Sequence, residues 1–180
     1  DLLEAHGARV ITFTADNHRI EQMSAVSTAA ATVWSRSAYR ELRRLIRLHR
    51  PDVVHFHNTF PLISPAGYYA ARAEGVSVVQ TLHNYRLICP AATLFRSGAP
   101  CEDCVGRAVA WPAVQHGCYR GSRPATTGVV TMLAGHRLVG TWSRAVDRYI
   151  ALTAFARDRL IAGGLPAERV VVKPNFVYPD

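Results

Sequence analysis

Short apolar runs alternate with amphipathic stretches along this chain. Five runs read as strands: residues 9–14 (RVITFT), 52–57 (DVVHFH), 76–82 (VSVVQTL), 148–152 (RYIAL) and 169–173 (RVVVK). Between them the period becomes helical. In residues 25–49, Tyr39, Leu42, Leu45 and Ile46 share one face, while Arg36, Arg40, Arg43, Arg47 and Arg50 mark the other, and Pro51 ends the helix. A second helix begins at Ser64 or Pro65 and closes at Gly75, a third spans 122–141, and a fourth spans 154–162 before Gly163-Gly164. Residues 1–7 read as the last turns of a helix closing on Gly7, and the polar residues 16–23 as a loop or short helix. Strands this apolar, separated by helices, predict an α/β fold: an open parallel sheet with helices on both faces, Rossmann-like. One irregular Cys-rich insertion, residues 89–118, interrupts the rhythm, and a segment that long needs a function or a cross-link to hold it.

Length and charge narrow the picture. At 180 residues and 49% hydrophobic content, one domain with a proper core is expected. The chain opens at Asp1 without Met and stops just after a strand-like run, so we expect a piece of a longer protein. No run approaches the ~18 apolar residues of a membrane span, and no signal peptide is visible. With 21 basic against 13 acidic residues the net charge is +8, and Lys173 is the one lysine. Such a surface favours an anionic partner: a phosphate ester, an acidic lipid or nucleic acid. The arginine stripe from Arg36 to Arg50 reads either as a solvated helix face or as a contact for an anionic bilayer.

Ligands of open parallel sheets bind beyond the carboxyl ends of the strands. His57-Asn58 follows the second run and His83-Asn84 the third, with Arg86 close behind; Thr153 follows the fourth and Pro174-Asn175 the fifth. Two His-Asn pairs after successive strands are expected to line one crevice. Imidazole donates to a sugar hydroxyl or phosphate near neutral pH, and Asn both donates and accepts. The competing reading is that each His satisfies local backbone groups. His55 alternates inward and is read as structural, and His6, His18, His49, His116 and His136 carry no functional expectation. The nucleotide-binding loops GxGxxG and GxxxxGK[ST], and the GxSxG nucleophile motif, are absent.

Cys101 and Cys104 form a C-x-x-C knuckle, with Cys89 before it and Cys118 after it. Four thiolates so placed fit a structural zinc tetrahedron, which would also order the insertion. Disulfides and unligated thiols are the alternatives. A zinc-stapled basic module for nucleic acid is disfavoured, because few basic residues cluster in the insertion and no helix there is suited to a groove.

The stretches DVVHFHNTFPLISPAGYYAARAEGVSVVQTLHNYRLICPAATLFRSGAPCEDC, HGCYRGS and DRYIALTAFARDRLIAGGLPAERVVVKPNFV resemble the N-terminal half of a bacterial family-4 glycosyltransferase of GT-B architecture, in its four-cysteine subgroup. The resemblance runs from about Arg9 to Val177. It implies a two-domain enzyme that moves a sugar from a nucleotide-sugar donor to a glycan or lipid-linked acceptor in cell-surface polysaccharide synthesis, retaining configuration without a catalytic metal. Residues 1–180 would then be a truncated N-terminal Rossmann-like domain, lacking the first strand and the C-terminal donor domain, and inactive alone. His83 matches the strand-end histidine that reaches the donor sugar and stabilises its positive charge in the transition state. His57 and Asn58 fall in the acceptor region, Thr153 faces the cleft, and Lys173-Pro174-Asn175 matches the crossing into the second domain. A nucleotide-sugar epimerase of the same architecture is the alternative enzyme. The expected place is the cytoplasm, peripheral at the inner face of the plasma membrane, with the Arg36 to Arg50 helix against anionic lipid.

Overall fold

The chain is described by a computed structural model covering residues 2–175. It begins with a short helix α1 (Leu2–Ala5) and a 3-10 turn (Asn17–Gln22), followed by α2 (Ala25–Val33) and α3 (Arg36–His49). The single helix expected over 25–49 is therefore two. Ser35 is the reason: its hydroxyl accepts from Ala38 N at 3.4 Å and caps α3, while its own N–H donates to Ser64 Oγ at 2.9 Å. Trp34, at the break, stacks near the rings of Tyr39 and Tyr69.

The expected strand over residues 9–14 is not formed. Among the described residues no neighbouring strand pairs with it, and strand propensity expresses little else than a fitting sheet surface. Arg9 instead donates to His49 O at 2.7 Å, and Phe13 packs against the core.

The remaining elements are β1 (Val53–Phe56), α4 (Ala66–Ala73), β2 (Ser77–Leu82), β3 (Phe95–Arg96), β4 (Ala99–Pro100), α5 (Trp111–His116), α6 (Arg123–Leu138), α7 (Thr141–Arg144), β5 (Arg148–Ala151), α8 (Ala154–Ala162) and β6 (Val170–Val172). The sheet order is β1-β2-β5-β6, every pair parallel, as the run-and-helix grammar predicts. The Cys-rich insertion carries only the two-residue hairpin β3-β4 and the short α5.

Alternate strand positions divide by burial. Phe56, Val78, Gln80, Leu82, Tyr149, Ala151 and Val170 are buried in the core with Tyr68 of α4, Leu133 of α6 and Leu160 of α8. On the other face Val53 and Val171 remain 47% and 43% exposed. Gly67 lets α4 come close: a Cβ there would sit 2.9 Å from Phe56 Cε1 and 3.0 Å from Ile63 Cγ2.

A buried polar chain ties four helices together, α4, α7, α6 and α2. Tyr69 Oη and Thr141 Oγ1 lie 2.8 Å apart, Thr141 Oγ1 is 2.9 Å from His136 Nδ1, and His136 Nε2 is 2.9 Å from Val33 O. A carbonyl only accepts, so Nε2 carries the proton and Nδ1 accepts from Thr141. Burial holds the His136 pKa below its ordinary value. The folded chain therefore refuses a proton that the unfolded chain takes up near pH 6.5. This stabilisation is complete above that pH and is lost as pH falls from there through the lowered folded value. We expect the melting temperature to drop as pH falls below about 6.5, and His136→Gln to remove part of that drop in a pH series of thermal melts.

Candidate functional site

Two neighbouring parallel strands deliver two imidazoles to the same rim. β1 ends at Phe56 and β2 at Leu82, with Phe56 opposite Gln80 in the register. His57 and His83 follow directly, and His57 Nδ1 lies 2.9 Å from His83 Nε2, with ring centres 5.2 Å apart. Both are exposed. One nitrogen of the contact donates and the other accepts, so at least one ring offers a lone pair there.

His55 is a correction. Instead of pointing inward it is exposed on the less covered face, its ring centre 4.4 Å from that of His57. Its Nε2 is 2.8 Å from Thr81 Oγ1. The buried side of β1 belongs to Phe56, the larger apolar neighbour. Burial, and then the neighbouring rings, hold His55 and His57 below the ordinary histidine range. Both are thereby biased toward the neutral form at pH 7, and like His136 they add stability that is lost as pH falls below about 6.5.

Beneath this rim lies a cavity of about 240 Å³. Asn58, His83, Asn84 and Arg86 line it, so four of the residues expected from the strand ends meet at one hollow. His57 joins them through its contact with His83. Asn84 Oδ1 accepts from Arg86 N at 3.0 Å, a local turn that ends the β2 segment and leaves the Asn84 amide N–H groups to donate elsewhere. The floor is Tyr68, whose hydroxyl donates to Gln80 Oε1 at 2.6 Å and lies 3.3 Å from Thr59 Oγ1. Burial raises the Tyr68 phenol far above its ordinary value, so it stays a neutral donor. Met132 and Trp142 supply an apolar wall.

Two expected residues stand apart from this cavity. The Thr153 hydroxyl accepts from Ala156 N at 3.0 Å and caps α8. Asn175 is exposed beyond β6, and neither residue lines the hollow. Tyr68, Thr59 and Gln80 were not anticipated. The one available signal was Gln80 itself, an amide inside the apolar run VSVVQTL that must find a partner once buried.

Cys89, Cys101, Cys104 and Cys118 are free thiols that all line a second cavity, of about 20 Å³. Burial pushes the Cys104 thiol up to about 11 and raises Cys118 as well. Among the described residues no group of three or more His, Cys, Asp or Glu is arranged to hold a metal ion. The thiols thus surround one space without forming a finished ligand set. The insertion is held by other contacts: Arg96 pairs with Asp103 at 2.8 Å, Arg159 with Glu102 at 3.0 Å, Leu94 enters the core, and Cys89 and Val105 pack against it.

The arginine stripe is partly neutralised. Arg43 and Arg47 both pair with Glu74, at 2.5 and 3.0 Å, while Arg44, beside the stripe, pairs with Glu41 at 2.6 Å. No helix among the described residues is long and apolar enough to cross a membrane.

A parallel α/β domain with a polar hollow at its strand ends belongs to the broad class that binds ligands at the carboxyl edge of the sheet. The family is narrower: the model of Glycosyltransferase Family 4 matches residues 3–180, and the chain belongs to that family. No curated protein matches the chain. Similar solved structures include UDP-N-acetylglucosamine 2-epimerase from Rickettsia bellii, with a TM-score of 0.40, 17% identity, and coverage of 75% of this chain and 25% of that one. Another is the S. aureus MnaA-UDP co-structure, with a TM-score of 0.43, 18% identity, and coverage of 83% and 28% respectively. The chain therefore spans about a quarter of the length of these structures.

Proposed function

We propose that this chain is the acceptor-side half of a GT-B glycosyltransferase, which transfers a sugar with retention from a nucleotide-sugar donor to a glycan or lipid-linked acceptor of the cell surface. The observation that carries the reading is the His57–His83 pair, 2.9 Å apart at the mouth of a hollow lined by Asn58, Asn84 and Arg86. In the transfer, the bond from the anomeric carbon to the nucleotide phosphate oxygen breaks and a bond to an acceptor hydroxyl oxygen forms. The acceptor proton leaves with the departing phosphate. Positive charge grows on the sugar ring meanwhile, and His83 at the rim stabilises it through its oriented lone pair. His57 holds the His83 ring. Asn58, Asn84 and Arg86 bind the acceptor. Thr153 faces the cleft, and Asn175 stands where the chain crosses toward the second domain.

The test is product analysis with the full-length protein that carries this chain. Nucleotide release from a panel of nucleotide sugars is expected to depend on added acceptor and to leave a lengthened glycan. Epimerised nucleotide sugar formed without acceptor would overturn the reading in favour of an epimerase. Residues 1–180 alone are expected to give no turnover.

One structural zinc at the four-thiol cavity is part of the same proposal. Its support is that all four cysteines line that one cavity. A cation there would bring the sulfurs together and reverse the burial that keeps Cys104 protonated. Metal analysis is expected to find one zinc per chain, and its removal by a chelator to lower the melting temperature. Metal-free protein with an unchanged melt under chelator would remove zinc from the account. No catalytic metal enters the transfer. Contact with an anionic inner leaflet of the plasma membrane, on the cytoplasmic side, rests on Arg36, Arg40 and Arg50, the stripe residues without a carboxylate partner among the described residues.

A further inference from the structure

Arg86 is a half-buried cation with an unusual set of neighbours. Its guanidinium carbon lies 4.7 Å from the centre of the Phe60 ring and 5.1 Å from that of Tyr119. One of its N–H groups donates to Pro90 O. Among the described residues no Asp or Glu lies within ion-pair distance of it, whereas Arg43, Arg72, Arg96 and Arg159 each find one. Burial lowers its pKa; the Tyr119 hydroxyl and the Cys89 thiol act against that, and no carboxylate does.

Removing a cation from water without a counter-charge is costly, and two aromatic faces offset only part of the cost. A guanidinium has five N–H donors in a rigid fork, and the Pro90 carbonyl occupies one side of it. Arg86 also lines the 240 Å³ cavity, whose lining contains neither Asp nor Glu. Asn84 stands beside it with its amide oxygen already engaged by Arg86 N, which leaves N–H donors to face a ligand. The hollow is thus rich in donors, lined by no Asp or Glu, and provided with one cation that no carboxylate pairs with. Its volume lies just under the usual range for ligand pockets, about 300–1,000 Å³, and suits a single sugar unit better than an oligosaccharide.

From this we propose that the cavity binds an acidic monosaccharide unit of the acceptor, its phosphate or carboxylate held by the Arg86 fork and the Asn84 amide. The inference rests on the acceptor-side reading above and adds the chemical class of the acceptor. Planar bidentate pairing with carboxylate or phosphate oxygens is the contact that guanidinium makes best, and lysine does not reproduce it.

The test is a binding titration of the full-length protein with glucose, glucuronate, glucose 6-phosphate and inorganic phosphate. Both acidic sugars are expected to bind about tenfold or more tighter than glucose, in line with a charge-assisted bidentate pair. Raising the salt about tenfold should weaken the acidic sugars and leave glucose unchanged. Arg86→Gln should erase the preference while glucose still binds, and Arg86→Lys should keep part of it. The salt series needs no variant, so it decides the matter even if the Arg86 variants fail to fold. Equal affinity for glucose and the acidic sugars, or a preference that survives Arg86→Gln, would overturn the proposal. So would inorganic phosphate binding as tightly as glucose 6-phosphate while glucuronate is excluded. A preference for acidic sugars in a protein that transfers nothing would sink the transferase reading alone. Transfer to neutral and acidic acceptors with equal efficiency would sink the acidic-acceptor reading alone.

Discussion

In the full-length protein, His83→Ala is expected to lower the turnover number for sugar transfer about 10²–10³-fold, the usual effect of deleting one group that stabilises transition-state charge. His83 is exposed at the end of β2, and its ring meets that of His57, so the substitution removes no core packing and the melting temperature should hardly move. The loss should fall on kcat rather than on KM, because the interaction matures only as charge develops. His57→Ala should cost less, since the His83 ring remains and loses only the partner 2.9 Å away that orients it. A His83→Ala enzyme with unchanged kcat would move the chemistry to another residue, whatever the cavity binds.

The second large effect concerns stability. Tyr149 lies in β5, between β2 and β6, and is 0% exposed. Its hydroxyl donates to Trp142 O at 2.9 Å, which fixes the turn of chain entering β5. Tyr149→Ala would remove an entire buried ring and is expected to cost about 3–5 kcal/mol. Domains of this kind are stable by only about 5–15 kcal/mol, so the variant should unfold at much lower urea or not fold at all. Tyr149→Phe keeps the ring and strands only the carbonyl, at about 1–3 kcal/mol. Urea titrations of the three proteins separate these terms. An alanine variant as stable as the parent would mean that the sheet centre does not carry the core.

The architecture was legible because its strands are apolar runs with little polar alternation in the sequence. VSVVQTL, RYIAL and RVVVK each became a parallel strand, and the rule that ligands meet the carboxyl edge led to His57 and His83. Failures occurred where a local pattern depended on a neighbour. RVITFT has the composition of a strand but gains a ladder only from an adjacent strand, and none pairs with it here. The continuous helical period over 25–49 hid Ser35, whose cap and contact with Ser64 divide the helix. The alternation argument set His55 inward, and Phe56 took that side. The cavity floor was invisible because Tyr68 and Gln80 are brought together only by packing α4 on the sheet. The arginine stripe reads from the sequence as a solvated face or a bilayer contact. Glu74, at the end of α4, neutralises two of its members from across the helix pair, which no period within α3 foretells.

The central claim is that the two strand-end imidazoles and the hollow below them form one binding site. Nitrogen NMR of the histidine rings, recorded as acceptor is titrated into the full-length protein, tests this most directly. The account predicts that the His57 and His83 ring signals shift together and saturate together, while buried His136 stays where it is. Saturable acceptor binding that leaves both signals unmoved would contradict it.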